Sequence, residues 1–224
     1  MNWEAIEDNQ LFKKMSREDL LHIFKCSRTE KQSYRRGEMI FRPGEQAHYL
    51  YVLLKGRVTL SRYYVTGKKN TLYEVRADQI FGEHYIFGKE PVYKYCAKAM
   101  SDVELLKIPG AYFSGYCSEQ CQCHRDLIHN MLEVLSEKEW MAIKKVNIVS
   151  SVSLKERISM WLLDEAGEDD IVRLEMNREE LADYLGVARP SLSRALMKMQ
   201  SEGLIEVGKK SIRILQREEI EKYL

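Results

Sequence analysis

Short runs of alternating apolar and polar residues fill the chain from about residue 29 to residue 110. Two of them read AHYLYVLLKGRVTLSRYYV and VYKYCAKAMSDVELLKIP, and turn signals such as Pro43-Gly44 and Lys55-Gly56 separate the runs. Many short strands with glycine between them predict an all-β sandwich or roll. Before this region, residues 10–26 space their apolar side chains as short amphipathic helices do.

Residues 119–149 contain neither proline nor glycine and predict one long helix. Seven positions along it step by alternating four and three residues, and six of the seven are apolar, as in a heptad stripe. The stripe could pack on its own β-domain or on a second copy of itself. A helix of roughly 45 Å is longer than one small barrel can cover, so we expect a homodimer. The predicted interface residues are Ile128, Leu132, Leu135, Glu139, Ala142, Val146 and Val149.

The C-terminal part has the pattern of a winged helix-turn-helix. Asn177 is a good N-cap with Glu180 three residues on, and that helix stops at Gly186. Pro190 favours the first position of a second helix, which leaves Arg189 as a poor N-cap. The segment GLIEVGKKSIRIL then predicts a two-stranded ribbon. Two helices joined by a tight glycine turn and followed by a hairpin indicate this motif.

The second of these helices has two different faces. Leu192, Ala195, Leu196 and Met199 recur at helical spacing and predict the core face. The N-terminal residues of such a helix reach base edges in the major groove, and uncapped N–H groups with arginines suit phosphate or guanine. The predicted DNA contacts are Arg189, Pro190, Ser191, Ser193, Arg194, Lys198, Lys209 and Lys210.

The composition supports this interpretation because the positive charge is concentrated in one part of the chain. The chain of 224 residues has 45% hydrophobic and 31% charged residues and a formal net charge of +1. Residues 148–224 carry 12 basic and 15 acidic side chains, whereas residues 189–213 carry 6 basic and 2 acidic ones. A domain that is acidic overall but basic on one helix and its hairpin is typical of a local nucleic-acid site.

The sequence also bounds the compartment. No apolar run approaches the roughly 20 residues of a membrane span, and the N-terminus lacks the pattern of a secretion signal. The five cysteines are an odd number, as expected for reduced thiols. We therefore expect a cytoplasmic protein.

Nearly the whole chain resembles the CRP/FNR family of bacterial transcription regulators. The resemblance is carried by GEMIFRPGE (37–45), YVLLKGRV (51–58), FGE (81–83) and MNREELADYLGVARPSLSRALMKMQSEGLI (176–205). It implies an α+β chain with three parts: a β-roll sensor domain with N-terminal helices (1–118), a dimerisation helix (119–149) and a winged helix-turn-helix (150–224). It further implies an effector bound between the β-roll and the long helix, a homodimer on a palindromic operator, and RNA polymerase as a partner.

The effector cassette departs from the cyclic-AMP-binding branch of that family. That branch presents an Arg-Ser pair to the cyclic phosphate, whereas FGEHYIFGKEPVYKYCAKA has Tyr93-Lys94 or Lys94-Tyr95 in its place. We therefore expect an effector other than cyclic AMP, such as an aromatic or anionic small molecule. The alternative is that alternate tyrosines merely occupy two faces of a strand. The predicted effector residues are Gly82, Glu83, His84, Tyr85, Tyr93, Lys94, Tyr95, Lys98, Leu127, Ile128 and Met131.

The recognition helix also departs from the family pattern. Ser193 and Arg194 match the family's serine–arginine pair, which implies a guanine contact by Arg194. The family's frequent glutamate falls at Pro190. The familiar cytosine-contacting half-site is therefore not implied for this chain.

The segment CSEQCQCH (117–124) supports an alternative function, a thiol- or metal-based redox sensor. In a continuous helix, Cys117, Cys121 and His124 would share a face and Cys123 would point elsewhere. The iron–sulfur mechanism of the oxygen-sensing branch needs a trio of N-terminal cysteines, and this chain has only Cys26 there. We identify no cofactor or metal site, and treat these three residues as weak metal candidates.

Enzymatic activity is not expected. Metal-dependent jelly rolls often carry two or more histidines spaced along strands, whereas His48 and His84 stand alone in the β-region. The sequence contains no identifiable Ser-His-Asp, Walker or paired-carboxylate constellation. We therefore predict a DNA-binding regulator.

Overall fold

The computed structural model describes residues 3–64, 69–115, 121–174 and 176–223. The chain divides into two compact units, Met1–Leu135 and Ser136–Leu224. None of the helices in these ranges is both long and apolar enough to span a bilayer. The domain boundaries at residues 118 and 149 stay predictions.

In its described residues, the N-terminal unit combines short helices with eight strands. The helices are α1 (Trp3–Glu7), a 3-10 turn (Gln10–Phe12), α2 (Arg17–Ser27), α3 (Glu83–Phe87), α4 (Ala111–Ser114) and the first part of α5 (Gln122–Ser150). The strands are β1 (Glu30–Tyr34), β2 (Met39–Phe41), β3 (Tyr49–Lys55), β4 (Arg57–Tyr63), β5 (Lys69–Arg76), β6 (Ile80–Phe81), β7 (Cys96–Ala99) and β8 (Val103–Pro109).

The eight strands form two antiparallel sheets, ordered β1-β8-β3-β6 and β2-β7-β4-β5. Strand β3 is buried on both faces, which explains its nearly continuous apolar sequence. Tyr51 and Leu53 face the core between the sheets, whereas Leu50 and Val52 face a second core under the N-terminal helices. The β-roll expected from the strand pattern is confirmed.

Helix α2 begins where the sequence places a strong N-cap. The Ser16 hydroxyl accepts a hydrogen bond from the amide of Asp19, and the Asp19 carboxylate accepts one from the Ser16 amide. This capping box offsets the unsatisfied amides of the first turn. The helix then buries Leu20, Ile23 and Phe24 against the outer face of the β3 sheet.

The long helix α5 begins at Gln122, three residues later than the sequence predicts, and ends at Ser150. Leu132 and Val146 of the predicted stripe are 61% and 64% exposed. Glu139 and Ala142 are exposed, and Ile128, Leu135 and Val149 are half-buried. Most of the stripe is therefore open to a partner on the single chain.

The C-terminal unit contains the remainder of α5 followed by a small α+β domain. Its elements are α6 (Leu154–Glu165), β9 (Ile171–Arg173), α7 (Arg178–Tyr184), α8 (Arg189–Ser201), β10 (Ile205–Val207), β11 (Ser211–Ile214) and α9 (Arg217–Glu221). The sheet has three strands, ordered β10-β11-β9, where the sequence predicts a two-stranded ribbon. The difference arises because β9 pairs with β11, placing Val172 opposite Ile212 in the core.

Candidate functional site

The turn between α7 and α8 fixes where the recognition helix begins. Asn177 caps α7 by accepting hydrogen bonds from the amides of Glu179 and Glu180, as the capping box predicts. Gly186 follows the helix with a φ of +67°, in the left-handed region that glycine adopts without steric cost. Helix α8 begins at Arg189 with Ala188 as its N-cap, one residue earlier than predicted.

The first turn of α8 offers fewer open amides than the sequence suggests. Pro190 has no N–H group, and the amide of Ser191 donates to the carbonyl of Ala188 at 2.9 Å. Ala188 provides no side-chain cap. The positive character of this helix end is therefore carried mainly by the two arginine side chains.

The two faces of α8 separate as predicted. Leu192, Leu196 and Met199 are buried in the core of the domain. The opposite face exposes Arg189, Pro190, Ser193, Arg194 and Lys198, with Ser191 half-buried at its edge.

The two arginines of this face have different surroundings. The guanidinium of Arg189 lies 3.7 Å from the carboxylate of Glu179 on α7. The Arg194 Nε donates to the carbonyl of Pro190 at 3.4 Å. No acidic side chain in the described ranges forms an ion pair with Arg194, and the side chain is exposed.

The hairpin between β10 and β11 presents two further cations. The amide of Gly208 donates to the carbonyl of Ser211 at 2.8 Å and closes the turn. Lys209 and Lys210 are exposed at the tip, and the carbonyl of Lys210 accepts from the amide of Leu174. The basic side chains of α8 and of this wing therefore belong to one small domain with a single core.

Arg157 on α6 links two backbone segments of this domain. Its Nε and Nη2 donate to the carbonyl of Ser151 at 3.2 Å each, just beyond the end of α5. Its Nη1 donates to the carbonyl of Leu185 at 3.2 Å, at the turn that precedes α8. One guanidinium thus connects the two segments through main-chain acceptors.

The C-terminal end of α8 is held by an ion pair. Lys155 Nζ lies 2.5 Å from the carboxylate of Glu202 and donates to the hydroxyl of Tyr223 at 2.8 Å. The hydrogen bond from Lys155 lowers the pKa of Glu202. The ion pair between Lys155 and Glu202 fixes the C-terminal end of α8, opposite the N-terminal end that carries the two arginines.

The predicted effector residues of the β-roll gather around an aromatic cluster. Tyr93 stacks on Phe41 with ring centroids 3.8 Å apart. Tyr85 meets Tyr93 and Tyr95 edge to face at 5.0 and 5.2 Å, and its hydroxyl accepts from the amide of Lys94. The three tyrosines are buried, so their rings mainly contact one another and the core.

Burial changes the acidity of these phenols. It raises the pKa of Tyr93 to about 12. Burial also raises the pKa of Tyr51, Tyr73 and Tyr95. All of them are neutral hydrogen-bonding groups at physiological pH. The predicted effector residues do not include Phe41, Tyr51 and Tyr73. Their alternation with other apolar residues in β2, β3 and β5 could have indicated them as members of this cluster.

The remaining cassette residues line the border of the cluster. Gly82 has a φ of +90°, and a Cβ there would lie 3.0 Å from the carbonyl of Tyr49. Glu83 is buried with its carboxylate 3.7 Å from the ring of the exposed His84. Lys94 is exposed and pairs with Glu90 at 2.9 Å, and Lys98 is half-buried on β7.

The α5 residues predicted for the effector site lie in a different core. Leu127 and Met131 are buried with the N-terminal helices and the outer face of the β3 sheet, and Ile128 packs against that cluster. Tyr93 and Tyr95 belong to the core between the sheets. The structure therefore does not bring the predicted effector residues into one group.

Of the predicted trio of soft ligands, the structure describes Cys121 and His124. Cys117 lies outside the described residues. His124 stacks on Tyr112 at 4.3 Å, and its Nε2 lies 2.9 Å from the Tyr112 carbonyl. Cys121 precedes α5 instead of sharing a helical face with His124.

Cys121 and Cys123 instead meet His22 of α2. Their sulfur atoms and one ring nitrogen all lie within 4.8 Å of one another. The expectation that Cys123 points elsewhere is wrong because α5 begins after Cys121, and its first turn faces α2. Burial and the adjacent Cys121 thiol raise the pKa of Cys123 to about 12. His22 is not among the predicted ligands, and almost half the chain separates it from Cys121.

Two family models match the two units. Residues 31–120 match the cyclic nucleotide-binding domain, and residues 156–223 match the Crp-like helix-turn-helix domain.

Similar proteins extend over most of the chain. The global nitrogen regulator of Synechocystis sp. is 28% identical over 191 residues, which cover 82% of this chain and 83% of that protein. The cyclic AMP receptor protein of Thermus thermophilus is 24% identical over 188 residues, covering 83% of each chain. The structure of the c-di-GMP-responsive global regulator CLP of Xanthomonas campestris superposes with a TM-score of 0.57 at 20% identity, over 89% of this chain and 97% of that one.

Proposed function

The chain belongs to the CRP/FNR family of DNA-binding transcription regulators, and from that premise we propose that it reads a palindromic operator as an effector-controlled homodimer. It is a regulator and not an enzyme. We place its action in the cytoplasm, with double-stranded DNA and RNA polymerase as partners.

The observation that carries the proposal is the exposed N-terminal face of α8. In the described structure, Arg194 donates a hydrogen bond from Nε to the carbonyl of Pro190. Its other N–H groups can therefore donate two hydrogen bonds to a guanine edge. Ser191, Ser193 and Arg189 belong to the same end of α8, and in this binding mode they would contact phosphates or base edges. Lys198, Lys209 and Lys210 are exposed cations that suit phosphate contacts.

A homodimer accounts for the open stripe of α5. Leu132 and Val146 are large apolar residues of the predicted stripe and are 61% and 64% exposed, and a second copy of the helix would remove both from water. The predicted contacts Ile128, Leu135, Glu139, Ala142 and Val149 lie on the same stripe. A two-fold dimer requires a two-fold operator, with half-site centres about one helical turn apart.

For the sensor domain we propose an effector other than cyclic AMP, of aromatic or anionic character. His84 and Lys94 are exposed at the border of a cluster whose tyrosines are buried. A ring-bearing anion can meet these two side chains at the border, or displace one of the tyrosine rings. The relatives' names mention cyclic AMP for one and c-di-GMP for another. Family membership therefore does not fix the ligand.

Selection of operators from a pool of randomised duplexes tests the proposal. We expect enrichment of two inverted half-sites containing guanine, bound by two chains per duplex. The same protein is screened by thermal shift against cyclic nucleotides and aromatic acids. Binding that is independent of sequence, or a single half-site bound by one chain, would contradict the proposed mode of recognition.

A further inference from the structure

Three side chains with soft ligand atoms converge where α2 meets the start of α5, and a fourth lies beside one of them. His22 lies on α2, Cys121 lies just before α5, and Cys123 lies in the first turn of α5. One ring nitrogen and the two sulfur atoms lie within 4.8 Å of one another. Two segments separated by almost a hundred residues thus contribute to the group, as protein metal sites commonly require.

Cys26 extends the group on the side of α2. It follows His22 by four residues, which places both side chains on one face of the helix. The sulfur of Cys26 lies 3.4 Å from Nε2 of His22. This side chain is exposed, so it can rotate towards a bound ion and also marks the path by which the ion enters.

The spacing of these atoms is close to that of tetrahedral coordination. Zinc bonds of about 2.3 Å to sulfur and about 2.0 Å to nitrogen place two sulfur ligands roughly 3.8 Å apart, and sulfur and nitrogen roughly 3.5 Å apart. The separation between Cys26 and His22 already has this value. The ligand atoms of His22, Cys121 and Cys123 lie within 4.8 Å of one another, so each pair needs to approach by at most about 1.3 Å.

The surroundings favour thiolate–metal bonds. Cys123 is buried beside Leu127 and Ile23, and Cys121 packs against the same apolar cluster. These side chains shield the sulfur atoms from water on the inner side. Thiolate and imidazole select zinc-class ions over magnesium or calcium, which prefer oxygen ligands.

We propose that His22, Cys121 and Cys123 bind a thiophilic divalent cation of the zinc class, with Cys26 as the fourth ligand. The ion is held tetrahedrally by three sulfurs and one nitrogen, a ligand set of structural zinc sites. Because its ligands come from α2 and from the start of α5, the ion fastens these two helices within the N-terminal unit. The site is separate from both the aromatic cluster of the β-roll and the basic face of α8.

Zinc titration of the reduced full-length chain, stripped with a chelator, tests the site. We expect one equivalent to bind in competition with a chromophoric chelator and to raise the melting temperature. Cobalt(II) at the same site should give the visible absorption of tetrahedral coordination and thiolate charge-transfer bands.

The variants assign the ligands. His22→Asn, Cys121→Ser and Cys123→Ser should each weaken zinc binding by more than about 100-fold, because even the loss of a partner outside the coordination sphere costs about 10–100-fold. Cys26→Ser should remove about one third of the charge-transfer intensity, since three thiolates become two. Cys96→Ser is the matched control and should leave zinc binding unchanged. The thiol of Cys96 on β7 donates instead to the carbonyl of Ser61 on β4.

Three results would overturn the proposal. The first is that the wild-type chain binds no zinc. The second is that His22→Asn and Cys121→Ser bind zinc as tightly as the wild type does. The third is that the purified protein contains iron and inorganic sulfide in place of a single ion. His22 is only half-buried, so its variant remains informative where Cys123→Ser does not fold. Unchanged charge-transfer intensity in Cys26→Ser would remove that residue from the ligand set.

Discussion

Arg194 and Arg189 both lie in the first two turns of α8, yet their guanidinium groups meet different neighbours. Arg189 faces the carboxylate of Glu179, whereas Arg194 contacts only a carbonyl among its described neighbours. A guanidinium without a competing carboxylate can donate to a base edge without first breaking an ion pair. We therefore assign sequence discrimination to Arg194 and phosphate contact to Arg189.

Replacement of Arg194 tests the first assignment. Arg194→Ala should weaken binding to the selected operator by about 1–3 kcal/mol and relax the base preference at one position of each half-site. Fluorescence anisotropy with the selected duplex and with single-base variants measures both effects. Arg125→Ala, which removes an exposed arginine from the N-terminal unit, is the matched control. Equal operator affinity of Arg194→Ala and wild type would contradict the assignment.

Glu179 should restrain DNA binding through Arg189. Glu179→Gln removes a negative charge 3.7 Å from that guanidinium, so affinity should rise severalfold, by about 1 kcal/mol or less. The gain should be similar for all DNA sequences and should shrink as salt concentration increases. Anisotropy at two salt concentrations measures it, with Glu218→Gln on α9 as the control of equal charge change. A gain confined to the operator would indicate a base contact instead.

The sequence predicts the buried face of α8 well because helical periodicity alone determines it. Leu192, Leu196 and Met199 recur at the spacing that one side of a helix imposes. The start of the helix is less certain from sequence. Amides of the first turn need no partner within the helix, so Pro190 fits the second helical position as well as the first.

At the scale of elements, the turn between α7 and α8 depends on one glycine. Gly186 has a φ of +67°, and a Cβ there would meet only Arg157 and Val149 at 3.7 Å. The space is sufficient, so backbone strain decides the effect of a substitution. Gly186→Ala should lower the free energy of unfolding of the C-terminal unit by about 1–2 kcal/mol.

Gly186→Asn is the matched comparison, because asparagine tolerates the left-handed region better than alanine does. Urea denaturation followed by circular dichroism measures both variants. We expect the order of stability to be wild type, then Asn, then Ala. A larger loss of unfolding free energy for Gly186→Asn than for Gly186→Ala would show that side-chain volume and not backbone conformation determines the effect.

The strands of the C-terminal sheet show what the sequence pattern leaves open. Residues 171–173 have a strand pattern, but alternation does not say which strand they pair with. Strand β9 pairs with β11, which is distant in the sequence, because this pairing buries Val172 and Ile212 in the common core. The pattern of residues 171–173 therefore indicates a strand but not its pairing as the third member of the sheet.

At the scale of the whole molecule, the exposed stripe of α5 predicts the state of assembly. Val146→Glu places a charge within the C-terminal half of the proposed helix-to-helix contact and should convert the dimer to a monomer at micromolar concentration. Operator affinity should fall with it, because two linked reading heads bind more tightly than one. Light scattering coupled to size exclusion measures the mass.

Leu21→Glu is the control for this experiment. Leu21 is 52% exposed on α2 and is not part of the stripe, so its replacement should leave the dimer intact. A dimer that survives Val146→Glu would exclude the stripe as the interface. Trp140, Met141 and Ile143, which are exposed outside the stripe, would then be tested in the same way.

Long-range proximity is the part of the molecule that the sequence does not predict. The spacing of Cys117, Cys121 and His124 suggests one helical face, but spacing describes neighbours along a helix and not contacts between segments. The packing of α2 against the start of α5 places His22 beside Cys121 and Cys123. No pattern within either segment contains that information.

The contact between Arg157 and two main-chain carbonyls has a consequence for how such a regulator can diversify. The acceptors on Ser151 and Leu185 belong to the backbone, so they persist whatever side chains occupy those positions. The reading face of α8 can therefore acquire new residues, and with them a new operator, while the attachment of its preceding turn stays unchanged. Specificity can drift among descendants of this chain, and a designer can graft a foreign reading face, without rebuilding the support beneath it.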